Sequence, residues 1–216
     1  MADGGDRRFG ELPLPQTRAA AAAVRRLTGM LLSLEQPHPI VDEVLTAIDG
    51  WERGLAGAVP ADHRPRMSED DLSKRLYVQR AFDIGSANPM FPEYRFERID
   101  TATASGFVTF PIVFEGPPGL VHGGFLGVLF DCVTQHHNCA VGRSGKTRSM
   151  TVRYRRPTPL ETELRFEIVR AQADREITST ATLLLDGEVL CTGEVSALAL
   201  PPERLSPQRF ALRRES

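Results

Sequence analysis

Between Asn88 and Leu200 the sequence alternates apolar and polar residues in six short runs, and only Gly123 to about Val141 breaks that rhythm with helical spacing. A lone apolar helix among period-two segments can hide its surface only against a sheet. The pattern therefore predicts an α+β domain in which one helix lies on an antiparallel sheet of about five to six strands. The runs are Tyr94–Phe96, Phe107–Phe114, Thr147–Arg156, Thr162–Arg170, Ile177–Leu185 and Val189–Leu200, so the expected order is two strands, the helix, then four strands. Asp186-Gly187 between the last two marks a tight hairpin, because that pair tolerates the positive backbone angles of the turn.

The chain of 216 residues is long enough for one such domain plus an extension. Gln16–Leu34 places Ala20, Val24, Leu27, Met30, Leu31 and Leu34 at three- and four-residue steps before Pro37, which predicts an amphipathic helix. A second helix is expected over Ile40–Leu55, with Val41, Val44, Leu45, Ile48 and Trp51 as an apolar stripe that packs on the rest of the chain. The expected division is a flexible lead over residues 1–15, a helical extension and linker over 16–87, the α+β domain over 88–200 and an irregular tail over 201–216. Within the linker, Ala61–Ser73 is charged and interrupted by proline, which reads as loop. The helices could cap a ligand tunnel, extend a dimer interface or only shield a sheet edge, and the general need to cover edges favours the last.

Charge and composition remove several function classes. Lys+Arg 26 against Asp+Glu 28 gives no basic field of the kind duplex binding shows, so no nucleic-acid partner is expected. The alanine run Ala19–Ala23 is too short to cross a bilayer and Met1–Pro15 lacks the apolar core of a secretory signal, so neither membrane nor export is expected. Cys132, Cys139 and Cys191 are odd in number and lack metal-ligand spacing, which fits a reducing cytoplasm.

Chemistry concentrates in Glu115-Gly116-Pro117-Pro118-Gly119-Leu120-Val121-His122-Gly123-Gly124 and the helix that follows. The first N–H groups of a helix have no internal acceptor, and with the positive end of the helix dipole they suit an oxygen that carries negative charge. Asp131 interrupts an apolar run, and a carboxylate there calls for a polar cavity or a partner. Thr134, Gln135 and Asn138 follow at three, four and seven residues, which predicts a polar face around Asp131. At about 1.5 Å per residue, Gly123 and Gly124 lie roughly 10–12 Å from Asp131, too far for one carbonyl group to touch both. If both act on one bond they come from two subunits, with antiparallel helices facing across a dimer axis. His136 and His137 point roughly 140° and 240° around the helix from Asp131 and are adjacent, so no metal site is expected.

The His122-Gly123-Gly124 start with Asp131 on its helix, followed by the block Thr147 to Leu160, resembles the hotdog-fold acyl-coenzyme A thioesterase superfamily over about Asn88–Leu200. The resemblance implies one long helix wrapped by an antiparallel sheet, and homodimers, in some cases tetramers. It implies Asp131 as general base or nucleophile, Gly123 or Gly124 as backbone oxyanion donor, His122 as a group that positions or polarises the thioester, and Thr147 as an orienting hydroxyl. It also implies coenzyme A as part of the substrate, with no separate cofactor; Arg153, Arg155 and Arg156 at the strand end suit its phosphates. Thr134-Gln135-His136-His137-Asn138 departs from the small apolar residues usual there, which leaves a short, polar or aromatic acyl group as open as a fatty one. The same scaffold also admits a non-hydrolytic acyl-thioester binding module, or a dehydratase or hydratase acting on acyl thioesters.

Overall fold

A computed structural model describes residues 15–58, 83–142 and 145–199. The expected lead before residue 15, the Ala61–Ser73 linker and the tail after 201 lie outside the described residues, apart from Pro15. Helix α1 spans Pro15–Leu32 and α2 spans Ile40–Ala56. Strands β1 (Tyr94–Ile99) and β2 (Thr103–Thr109) precede helix α3 (Gly123–Ala140), and β3 (Gly145–Tyr154), β4 (Glu163–Ala173), β5 (Glu176–Leu185) and β6 (Glu188–Ala199) follow it. All six strands pair antiparallel in the order β1-β2-β4-β5-β6-β3, so β1 and β3 are the outer strands.

Alternation sets the inner face. Leu164, Phe166 and Ile168 of β4, Ile177, Ala181 and Leu183 of β5, and Cys191, Val195 and Ala197 of β6 are all buried. Leu126, Leu129, Phe130 and Val133 of α3 are buried too, and the core that joins helix to sheet includes Leu126, Leu129, Phe130, Leu164, Phe166 and Leu183. This is the hotdog arrangement, a long helix wrapped by its own sheet. The β5–β6 hairpin turns at Asp186 and Gly187, whose φ values of 51° and 82° are the positive angles that pair accommodates.

Three expectations are corrected. The run Phe107–Phe114 does not continue as one strand: β2 ends at Thr109, and Ile112–Phe114 forms a 3-10 turn after Pro111, which has no N–H for a ladder. The apolar stripe of α2 is only partly covered among the described residues: Val41, Val44 and Ile48 are half-buried, none of its residues is fully buried, and Trp51 and Leu55 are each 60% exposed. The stripe of α1 is likewise only partly covered: Leu27 and Leu31 are half-buried and Val24 and Met30 exposed, while the buried residues are Ala21 and Arg25.

What docks α1 is a cation. The Arg25 guanidinium pairs with Glu93 at 2.9 Å and donates to the carbonyl oxygens of Gly85, Asn88 and Phe91. Helix α1 thus rests on the 3-10 turns Ile84–Ser86 and Ile112–Phe114 rather than along a strand edge. No helix among the described residues is long and apolar enough to cross a membrane.

Candidate active site

The loop before α3 is built to deliver the helix start to the end of β3. Gly116 and Leu120 close a short turn (N···O 2.9 Å), Glu115 accepts from the Gly119 amide at 2.7 Å, and the Val121 amide donates to the Thr158 carbonyl at 2.9 Å. His122 follows in extended conformation as the N-cap of α3, and its own amide donates to the Phe114 carbonyl at 2.9 Å.

The amides of this first turn are then divided. The His122 Nδ1 accepts from the Gly124 N–H at 3.0 Å, and the His122 carbonyl accepts from the Phe125 N–H at 2.9 Å. That leaves the Gly123 N–H as the one amide from His122 to Phe125 without an acceptor among the described residues. Of the two glycines that the sequence offered as oxyanion donors, Gly124 is occupied as a capped amide and Gly123 is open. Because Nδ1 accepts, the ring proton of neutral His122 sits on Nε2, at the exposed edge of the side chain.

Asp131 lies two turns along the same helix and is half-buried. Its Oδ1 accepts from the Thr147 hydroxyl at 2.8 Å, which joins the two residues the sequence paired. A β-bulge makes this contact. The register of β3 against β6 shifts between Thr147 and Ser149, so Arg148 is left out of the ladder and the side-chain parity of the strand changes there. Thr147 thereby faces the helix together with Met150, Val152 and Tyr154: a Cβ on Gly127 would meet Met150 at 3.3 Å and Val152 at 3.9 Å.

Tyr154 was not singled out from the sequence. Its hydroxyl donates to the Gly123 carbonyl at 3.0 Å, and its ring lies so close that a Cβ on Gly123 would meet three of its atoms between 3.0 and 3.2 Å. Any larger residue would displace the ring, which is a packing reason for glycine at that position. The sequence carries no signal for it: only a bulge between Thr147 and Ser149 puts an odd-numbered and an even-numbered residue of β3 on the same face.

The polar face expected around Asp131 divides. Gln135 does lie towards β3, where its Nε2 donates to the Gly145 carbonyl at 3.0 Å. Thr134 and Asn138 turn inward and are 1% and 2% exposed; Thr134 donates to the Phe130 carbonyl, and Asn138 accepts from Arg170 Nε at 2.7 Å. Within this chain neither reaches a surface where a ligand would sit. His137 is fully buried and its Nε2 donates to the Asp100 carbonyl at 2.6 Å, while His136 packs among Tyr94 and Phe96 with Nδ1 at 3.1 Å from the Tyr94 hydroxyl. Burial, and secondarily the neighbouring His137, lower the His136 pKa to about 4. The two rings serve separate contacts, and no cluster of His, Cys, Asp or Glu suited to a metal occurs among the described residues.

The thiols offer no competing nucleophile beside Asp131. Burial, with the Asp131 charge as a further cause, pushes Cys132 up to about 12, and burial does the same for Cys191.

The three arginines separate as well. Arg153 pairs with Glu194 on the outer face of the sheet, away from α3. Arg156 pairs with Glu188 at 3.3 Å, and Arg155 is exposed with no ion pair among the described residues. Arg155 and Arg156 line a cavity of about 350 Å³ with Leu120, Gly123, Leu126 and Tyr154. Its walls are mainly apolar, with the two arginines among them.

No family model matches the chain. Among solved structures it is similar to a thioesterase superfamily protein at 27% identity, over 86% of this chain and 92% of that one, with a TM-score of 0.71. It is also similar to a hypothetical thioesterase from Streptococcus pneumoniae solved with coenzyme A, at 16% identity over 50% of this chain and 86% of the other, TM-score 0.48. A Streptococcus mutans protein bound to acetyl CoA matches at 11% identity over 50% and 89%, TM-score 0.48. On its fold and on the first of these likenesses, the chain is a hotdog-fold protein similar over most of its length to the thioesterase superfamily.

Proposed function

We propose that the protein hydrolyses an acyl-coenzyme A thioester to the free acid and coenzyme A. The observation that carries this reading is one partly exposed side of α3 with an open amide at Gly123 and a carboxylate at Asp131, where β3 side chains hold the Gly123 carbonyl and the Asp131 carboxylate. A thioester carbonyl needs little more: a base or nucleophile on one side and fixed dipoles at the oxygen where charge develops. Asp131, oriented by Thr147, activates water or attacks the carbonyl carbon. Gly123 N–H, with the positive end of α3 behind it, receives the oxyanion, and the outward Nε2–H of His122 is a second donor beside it. The C–S bond then breaks and the coenzyme A thiolate leaves. Where Asp131 has taken a proton from water, that proton passes to the thiolate; where Asp131 has attacked, solvent protonates the thiolate and water hydrolyses the acyl anhydride to regenerate the carboxylate.

Eight residues of helix put Gly123 and Asp131 about 12 Å apart, so one carbonyl group takes its amide from one subunit and its carboxylate from another. The side of β3 that is unpaired among the described residues and its exposed Met150 and Tyr154 support a homodimer built on that strand. Arg155 and Arg156, which line the cavity beside Gly123, suit the phosphates of coenzyme A, whereas Arg153 is engaged elsewhere. The inward turn of Thr134, His137 and Asn138 removes the polar helix middle that favoured a binding module without turnover. The dehydratase or hydratase reading would rest on His122 alone, since His136 and His137 are both held in structural contacts.

The test is thiol release from short, long and aromatic acyl-coenzyme A esters by the wild type and Asp131→Asn. Turnover by the wild type that vanishes in the variant, with the oligomeric state unchanged, is the expected result. Equal turnover by both would remove Asp131 from the mechanism, and saturable ester binding without thiol release would move the assignment to a binding module.

A further inference from the structure

We infer that Tyr154 is a positioning residue for the oxyanion site, an inference that rests on the thioesterase reading for its kinetic consequence but not for its geometry. The peptide between Gly123 and Gly124 is held at both ends by side chains. Its oxygen accepts from the Tyr154 hydroxyl at 3.0 Å, and its N–H donates to His122 Nδ1 at 3.0 Å. The preceding peptide, whose N–H is the open one, is held through its oxygen by Phe125. Tyr154 therefore fixes the plane next to the reactive amide, and through that plane the imidazole.

Three observations converge on the tyrosine. Its ring packs against the Gly123 Cα, where a side chain would otherwise stand. It extends from the same strand face as Thr147, so β3 orients both reactive groups of α3 from a single rigid element. It also lines the cavity between the open amide and the two arginines, although 60% of its surface is exposed. A tyrosine needed only for packing would be better covered, and phenylalanine would serve.

The hydroxyl acts in two ways. It holds the Gly123 carbonyl back along the helix, which keeps the neighbouring N–H aimed outward. It also polarises the peptide it binds, which strengthens the Gly124 N–H as a donor and keeps the ring proton of His122 on Nε2. Without the hydroxyl the first turn of α3 has lost one of its two side-chain clamps, and the His122 ring can exchange tautomers.

The experiment compares wild type, Tyr154→Phe and Asp131→Asn on the acyl-coenzyme A ester the wild type turns over fastest, with the ¹⁵N chemical shifts of the His122 ring recorded without substrate. Tyr154→Phe is expected to lower kcat about tenfold, with KM within about twofold and thermal unfolding unchanged, as loss of one hydrogen bond to the aligned site implies. Its His122 shifts are expected to move from a single Nε2–H tautomer towards a mixture. Unchanged kcat in Tyr154→Phe alongside an inactive Asp131→Asn would overturn the positioning role and leave the thioesterase reading standing. A changed KM at constant kcat would overturn it too, by making the hydroxyl a substrate contact. Unchanged turnover in Asp131→Asn would instead overturn the thioesterase reading. If no ester is turned over, the His122 spectrum decides alone: identical tautomers in wild type and Tyr154→Phe would overturn the relay.

Discussion

The two halves of α3 use their polar groups in opposite ways. From His122 to Asp131 the helix leaves polar groups available: the Gly123 amide is open and the Asp131 carboxylate carries a single hydrogen bond from Thr147. From Val133 to Ala140 its polar side chains are bound, with Asn138 on Arg170, His137 on the Asp100 carbonyl, His136 against Tyr94, and Gln135, which lies towards β3, on the Gly145 carbonyl. Both halves are wrapped by the same sheet, so burial by the sheet alone does not produce the difference. It comes from the strand that faces each half. Outer strand β3 reaches the first half through Tyr154 and Thr147, whereas the second half meets β4, the β1–β2 turn and strand β1, with Gln135 reaching back to β3.

Substitutions should separate the halves into one that governs rate and one that governs stability. The largest effect belongs to Asp131→Asn, expected to lower acyl-coenzyme A turnover by at least about 100-fold with little change in unfolding temperature; a stability loss of similar weight would break the contrast. Next is Asn138→Ala, which takes the 2.7 Å acceptor from Arg170 in the second half. It should cost about 2 kcal/mol in chemical denaturation and leave turnover per folded molecule unchanged. Thr147→Val should lower turnover about tenfold and leave stability near wild type, as expected for a hydroxyl that orients Asp131 on an exposed strand.

The smallest effect is a pH slope. His136 has its pKa lowered from the ordinary 6.5 to about 4, chiefly by burial, so between those values the unfolded chain binds a proton that the folded chain resists. Its contribution to stability is complete above pH 6.5 and is lost progressively as pH falls towards 4. Asp83, raised by burial to about 7 despite amide hydrogen bonds from Tyr94 and Gly85, runs the other way and loses its contribution as pH rises from 3.8 through 7. The difference between wild type and His136→Gln in unfolding free energy across pH 4–6.5 isolates the histidine. A variant as acid-sensitive as the wild type would show that His136 does not supply the slope.

The sequence made the strand–helix order and the helix start legible because period-two runs and the His122-Gly123-Gly124 start are local signals. Asp186-Gly187 marked its turn, but the β4–β5 turn did not announce itself. Asp174 takes φ 52° without a following glycine, and both strands run further towards it than the apolar pattern implied. At the site, helical spacing placed Thr134, Gln135 and Asn138 beside Asp131, yet only Gln135 follows it towards β3. Spacing fixes angles around a helix but not which side the sheet covers. The bulge at Arg148 was invisible, since it alters parity without altering composition, and with it went Tyr154. The helix stripes of α1 and α2 misled for a related reason: an apolar face says that something should cover it, whereas α1 is docked by Arg25.

That docking has a consequence for how the molecule can change over time. Three of the four acceptors of Arg25 are carbonyl oxygens, which every residue carries. The receiving segment from Gly85 to Phe91 is thus read by its path and hardly by its side chains. Its sequence is free to drift only where the path does not depend on it, which excludes Gly85, where a Cβ would meet the Pro92 backbone, while most of the specification of the joint sits in one codon, at position 25. A guanidinium fans its donors in a plane, and a lysine there could not address the same set of oxygens. Relatives that retain the docked helix should therefore vary in the receiving turn outside Gly85 and agree at that arginine.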